Sequence, residues 1–199
     1  GTFANKEDLQ EFIGSLPADV LVVVDEAYAE YVTDPSYCSA VELLNSNKNV
    51  IVLRTFSKIY GLAGLRVGYG IASPEIISLL NRVREPFNVN LLAQEAAVAA
   101  LKDQEHVRQS KELVIEGKKY LYKEFERLGL DYVPSETNFI FVDLKMDSTK
   151  VFKALLKEGV IVRTGDIFDY PTYIRVTVGT MEQNKRFISS LEKVLNSIE

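Results

Sequence analysis

One stretch constrains this chain more than any other: Thr55 to Gly70, TFSKIYGLAGLRVGYG. An apolar run, Asn49 to Arg54, ends in Thr-Phe-Ser-Lys and gives way to a glycine-studded segment whose one arginine, Arg66, lies eight residues past Lys58. A second apolar run, Val20 to Val24, ends in Asp25-Glu26-Ala27-Tyr28, thirty-three residues before Lys58. Continuous apolar runs joined by helical segments predict an α/β fold with a mostly parallel sheet covered on both faces. Ligands of such sheets bind beyond the carboxyl ends of the strands, which is where Asp25 and Lys58 fall.

A lysine that closes a buried strand is expected to lose hydration, which disfavours its charged form and leaves a nucleophilic amine. Covalent chemistry with an aldehyde requires such an amine. Thr55 and Arg66 add a hydroxyl and a fixed cation, the groups that hold a phosphate. Each residue also has an ordinary explanation. Lysines at strand ends are mostly solvated, Arg66 could form a surface ion pair, and Gly61, Gly64, Gly68 and Gly70 could simply make turns. A dinucleotide site is excluded, because these glycines do not give G-x-G-x-x-G opening a helix after a strand. Taken together, the residues describe a site for an aldehyde that carries a phosphate: pyridoxal phosphate.

The pair DEAY and TFSK-x7-R resembles the class I/II aminotransferases of fold-type I. The segments VVVDEAYAEY, LRTFSKIYGLAGLRVGYGIA, TNFIFVDL and YIRVTVGT most resemble the histidinol-phosphate aminotransferase branch. The resemblance runs over essentially the whole chain but covers only the C-terminal part of such an enzyme. It implies that Asp25 faces the cofactor's pyridine nitrogen and that Tyr28 hydrogen-bonds its phenolic oxygen. It makes Lys58 the catalytic lysine, with Thr55, Ser57 and Arg66 at the phosphate. Arg175 would take the amino acid's α-carboxylate, and Arg163 is a candidate for the substrate's phosphate. The implied reaction exchanges an amino group between histidinol phosphate and 2-oxoglutarate, in a cytoplasmic homodimer. An aromatic amino-acid aminotransferase and a threonine-phosphate decarboxylase share the pattern, as would a non-enzymatic regulatory domain. The phosphate-cradling turn and the aromatic that stacks on the cofactor ring belong to the N-terminal half. The 199 residues alone are therefore expected to aggregate, or to fold only after about Leu101, and to bind cofactor weakly.

Composition agrees with a globular enzyme. A chain of 199 residues that is 47% hydrophobic can bury a substantial core. Its net charge of −5 argues against phosphate-backbone binding to nucleic acid. No apolar run approaches membrane-spanning length. The single cysteine, Cys38, excludes an internal disulfide, and with a single histidine there is no metal constellation. His106, in a charged helical segment, is expected to be solvated.

The remaining chain predicts its elements locally. Asn5, with Asp8 three residues on, caps a helix carrying Leu9, Phe12, Ile13 and Leu16, which Pro17 ends. Residues 31 to 47 read as a loop and a short helix, and Val67 to Ala72 as a third strand. Pro74 opens a helix carrying Ile76, Ile77, Leu80 and Val83, and Leu91 to Leu101 is an Ala-rich helix. A long helix, about Asp103 to Leu128, presents Val107, Val114, Gly117, Leu121, Phe125 and Leu128 on one stripe before Gly129 stops it. Phe139 to Leu144, Val160 to Arg163 and Tyr173 to Val178 read as strands. Val151, Phe152, Leu155 and Leu156 form the inward face of a helix among them. Asn138 reads as structural. Thr180 and Gln183 form a capping box for a last helix that buries Phe187, Ile188, Leu191, Val194, Leu195 and Ile198. The pattern changes within the long helix. That places residues 1–101 in the cofactor-binding large domain and 102–199 in a small α+β domain bridged by that helix.

Overall fold

A computed structural model of the chain describes residues 1–46 and 49–198. Two compact units divide it: Phe3–Gln109, and Ser110–Glu199 together with Gly1–Thr2.

In the first unit, Asn5 Oδ1 accepts the Asp8 amide at 2.8 Å and starts α1, Lys6–Ser15, as its capping pattern predicts. Of the expected apolar face only Ile13 is fully buried, and Phe12 faces solvent. Strand β1, Val22–Asp25, runs parallel to β2, Val50–Thr55. Then β3, Gly68–Ile71, returns antiparallel on the other side of β2. The sheet is thus mixed, in contrast to the mostly parallel expectation. The reversal is built into the loop. Gly61 and Arg66 both adopt left-handed backbone, turning the chain back within a dozen residues. Gly68 is required by close approach, since a Cβ there would lie 2.7 Å from the Arg54 carbonyl oxygen.

Among the described residues the cluster of buried side chains lies on one face of this sheet, while on the other Ile51 of β2 is buried. Val50 and Val52 pack with Ile13, Ala40 and Leu43 from α1 and the 3-10 turn Ala40–Leu43. Val23, on β1, is 53% exposed, against the expectation of cover on both faces. Asn47, the end of the predicted loop and short helix, lies outside the described residues. Helix α2, Pro74–Val83, is capped by Ser73 and buries no residue fully. Helix α3, Leu91–Lys102, packs Ala93 and Ala97 against Phe56 and Val67. This contact seats the loop between β2 and β3.

Helix α4, Gln104–Arg127, crosses from the first unit into the second. Within the second unit its Leu121 and Phe125 enter a single large core. Gly129, at φ 68°, ends the helical segment, with the Leu130 amide bonded to the Phe125 carbonyl at 2.9 Å. A four-stranded sheet follows in the order β4, β5, β7, β6, with every neighbouring pair antiparallel. Its strands are β4, Asp131–Val133; β5, Phe139–Asp143; β6, Arg163–Thr164; and β7, Tyr173–Thr177. β4 escaped the sequence reading, since three residues carry too little periodicity to recognise.

The predicted strand Val160 to Arg163 reduces to Arg163–Thr164, because Val160 to Val162 find no ladder partner. Ile140, Val142, Ile174 and Val176 alternate into the core beneath α5, Ser148–Lys157, and α6, Met181–Ile198. Leu156 and Ile198, both expected inside, are exposed. The capping box of α6 forms as read, with Thr180 N donating to Gln183 Oε1 at 2.9 Å and Gln183 N to Thr180 Oγ1 at 3.3 Å.

Candidate active site

The loops that follow β1 and β2 lie side by side because the strands they leave are paired. Asp25 stands opposite Leu53 in the parallel register, and the Glu26 amide extends the ladder by donating to the Leu53 carbonyl at 2.9 Å. Asp25 is exposed at the strand end, its Oδ1 accepting the Ala27 amide at 2.9 Å. This Asx turn aims the chain so that Tyr28 lies beneath the second loop. Lys58 Nζ sits 5.1 Å from the Tyr28 ring centroid, within cation–π range. Lys58 thus lies against Tyr28, thirty residues earlier in the chain and three past Asp25.

Lys58 differs from expectation in one respect: its side chain is exposed. It lies three residues beyond β2, where the strand no longer shields it and Tyr28 provides the aromatic contact.

Thr55, Ser57 and Arg66 gather on the other side of the same loop. Thr55 Oγ1 accepts the Ser57 amide at 3.0 Å. Arg66 Nη1 donates to the Ala63 carbonyl at 2.8 Å and lies 3.4 Å from Ser57 Oγ. Its backbone is left-handed, at φ 53°, a conformation that a non-glycine residue adopts at some cost. Among the described residues Arg66 has no carboxylate partner. Two hydroxyls and a guanidinium without a carboxylate partner on one loop are groups that can bind an anion.

Behind these groups lies a buried ion-pair network that sequence reading missed. Glu26 is buried, and its carboxylate accepts from Arg54 Nε at 2.9 Å, Ser39 Oγ at 2.9 Å and the Ala40 amide at 2.6 Å. Arg54 Nη2 pairs with the same carboxylate at 2.7 Å, and its Nη1 lies 3.6 Å from Glu30. Burial opposes the Arg54 charge. The hydrogen bond and charge of Glu26, with that of Glu30, outweigh it and hold the pKa above its usual value. Burial raises the Tyr60 hydroxyl pKa, and Glu30 adds to the effect. The network ties the residue after Asp25 to the strand that delivers Lys58. One signal was available: an arginine inside an apolar strand, the same oddity that singled out Arg175.

His106 is exposed, as expected, and in addition its Nε2 lies 3.0 Å from the Ile59 carbonyl oxygen, beside Lys58.

In the second unit, β6 and β7 set Arg163 and Arg175 directly opposite one another, and β5 sets Phe141 opposite Arg175. Directly opposed residues share a sheet face, so both guanidiniums stand on the face away from the core. Arg175 Cζ lies 5.0 Å over the Phe139 ring. Like charges facing across a ladder are destabilising unless an anion joins them. Neither arginine has an ion-pair partner among the described residues.

The class I and II aminotransferase family model matches residues 1–191, and the chain belongs to that family. It is 61% identical over 196 residues to the histidinol-phosphate aminotransferase of Moorella thermoacetica, covering 98% of this chain and 51% of that protein. It is 56% identical over 195 residues to its namesake from Caldicellulosiruptor saccharolyticus, covering 98% and 54%. The fold matches the crystal structure of histidinol-phosphate aminotransferase from Sinorhizobium meliloti in complex with pyridoxal-5'-phosphate. The TM-score there is 0.92 at 28% identity, over 100% of this chain and 55% of that one. The chain spans about half the length of the curated relatives it matches.

Proposed function

We propose that this chain supplies the lysine-bearing part of a pyridoxal-phosphate-dependent aminotransferase. The full-length protein would exchange an amino group between histidinol phosphate and 2-oxoglutarate. The observation that carries the reading is Lys58 over Tyr28, three residues past Asp25, on the loop that also carries Ser57 and Arg66 after Thr55. The donor set suits the cofactor: an uncompensated cation and two hydroxyls for a phosphate, a carboxylate for a pyridinium, an amine for an aldehyde. When bound, the cofactor supplies an electron sink for the substrate's α-carbon.

The chain's own residues would do the rest. Asp25 would hold the ring nitrogen protonated and Tyr28 would bond the phenolic oxygen. Lys58 Nζ would take the α-carbon's proton and return it, as general base and acid. Arg175 would grip the α-carboxylate through its planar fork, and Arg163 beside it would take the substrate's phosphate. The relatives' names support histidinol phosphate over an aromatic amino acid or threonine phosphate. We read residues 1–101 as part of the large domain and 102–199 as the small α+β domain of a cytoplasmic homodimer.

Borohydride reduction of the cofactor-loaded full-length protein, followed by peptide mapping, tests this reading. The pyridoxyl group is expected on Lys58, and label on another lysine would refute the assignment. A substrate panel checks the specificity. Faster turnover of phenylalanine than of histidinol phosphate would overturn the substrate proposed here.

A further inference from the structure

We propose that His106 is a positioning residue for Lys58, holding the backbone of the lysine loop from the first turn of α4. The Lys58 side chain is exposed, and its cation–π neighbour is Tyr28, so the place of its amine depends chiefly on where the backbone at 58–59 is fixed. Two anchors act at the next residue. The Ile59 side chain is 2% exposed, and the Ile59 carbonyl lies 3.0 Å from His106 Nε2. The loop's own backbone bonds run from the Phe56 amide to the Val67 carbonyl at 3.2 Å, the Gly61 amide to the Lys58 carbonyl at 3.0 Å, the Leu62 amide to the Phe56 carbonyl at 2.9 Å and the Leu65 amide to the Leu62 carbonyl at 3.0 Å. They set its shape, whereas His106 ties it to a helix forty-seven residues away in sequence.

The imidazole is itself well placed to serve. Asp103 Oδ1 accepts the His106 amide at 3.0 Å, as an N-cap does, and so fixes the helical turn that presents the ring. Gly61 lies beside the ring, where a Cβ would be in ordinary van der Waals contact, 3.8 Å from Nε2. A carbonyl oxygen only accepts, so Nε2 carries the hydrogen. That holds for the neutral Nε2–H tautomer and for the protonated ring alike.

The role of Lys58 rests on the function proposed above, so the test separates the tether from the chemistry. His106→Ala, His106→Asn and His106→Gln are made in the full-length protein. The glutamine amide nitrogen reaches about as far as Nε2, while that of asparagine stops near Nδ1. Amide hydrogen exchange over residues 59–62 is first measured without cofactor. The alanine and asparagine variants are expected to exchange roughly three- to tenfold faster there, the scale of one hydrogen bond. In the loaded enzyme the same two variants are expected to lose kcat by a similar factor, with KM for the amino acid little changed. His106→Gln is expected to restore both. Unchanged exchange in His106→Ala would remove the tether. Faster exchange with unchanged kcat would show a tether that does not position the amine. A glutamine variant as impaired as alanine would rule out the donated hydrogen as the cause. The exchange measurement reads the tether even if Lys58 carries no cofactor.

Discussion

Leu121 and Val83 are both apolar residues at core-spaced positions of helices, and their surroundings differ completely. Leu121 is 0% exposed, in a core that gathers α4, α5, α6 and the inner face of the four-stranded sheet. Val83 is 78% exposed, on a helix that buries none of its residues fully. The contrast runs through the two units. Ser110–Glu199 closes one large cluster around Phe125, Ile140, Ile174 and Leu191. Phe3–Gln109 holds two small clusters and leaves Val23, Leu79, Leu92, Val98 and Phe87 in solvent, Phe87 being 98% exposed. The unit with the candidate catalytic lysine is therefore the one with less core of its own. Exposed apolar area on that scale is unusual on an isolated soluble protein.

The largest test of the contrast separates the units. Residues 110–199 alone are expected to unfold cooperatively on heating, with a dispersed amide spectrum. Residues 3–109 alone are expected to aggregate or to show no cooperative transition. A sharp melt of the 3–109 fragment would break the comparison.

Single truncations sharpen it. Leu121→Ala should destabilise by about 3–5 kcal/mol, because it opens a cavity that packed neighbours cannot fill. Val83→Ala in the 199-residue chain should stay within about 0.5 kcal/mol, as surface changes do. Urea unfolding reads both, and comparable losses would contradict the burial contrast.

Glu26→Gln probes what holds the first unit together in place of a large core. Removing one charge of a buried, multiply bonded pair should destabilise by about 2–3 kcal/mol. That is somewhat less than for a fully buried pair, because Arg54 keeps Glu30 and is partly exposed. A change below about 0.5 kcal/mol by urea titration would make the network dispensable.

Arg175→Lys asks whether recognition resides in the second unit while the chemistry resides in the first. Lysine keeps the charge but loses the fork, so amino-acid binding by the full-length protein should weaken by about 1.5–3 kcal/mol. The cofactor's absorbance should stay unchanged. An unaltered glutamate dissociation constant would place the carboxylate elsewhere.

The smallest effect is a pH dependence confined to the second unit. Burial, then the hydrogen bond and charge of Glu126, push the Tyr132 hydroxyl pKa up to about 12. A pKa raised in the folded state gives stability that is complete below the unfolded value near 10 and is lost as pH rises towards 12. Tyr132→Phe should flatten the fall in melting temperature over that interval. An identical alkaline limb in the variant would assign it to other groups.

Features decided within a few residues were legible in the sequence. The Asn5 and Thr180 caps, the Gly129 stop and the apolar alternation of β5 and β7 follow from local hydrogen bonding and periodicity. The position of Asp25 at a strand end and of Lys58 just past one was legible too, because residue type and position along a strand are both local. Contacts across long separations decided the rest. Arg54 meets Glu26 twenty-eight residues away, and His106 meets Ile59 forty-seven away. Nothing near His106 marks it as other than a solvated residue of a charged helix. The direction of β3 depended on how Gly61 and Arg66 turn the chain, and the exposure of Lys58 on how far its loop runs past β2. Periodicity shows that a residue such as Val23 or Val83 belongs on an apolar face. Whether that face is covered depends on neighbours that no local window contains, and only the tertiary structure decided it.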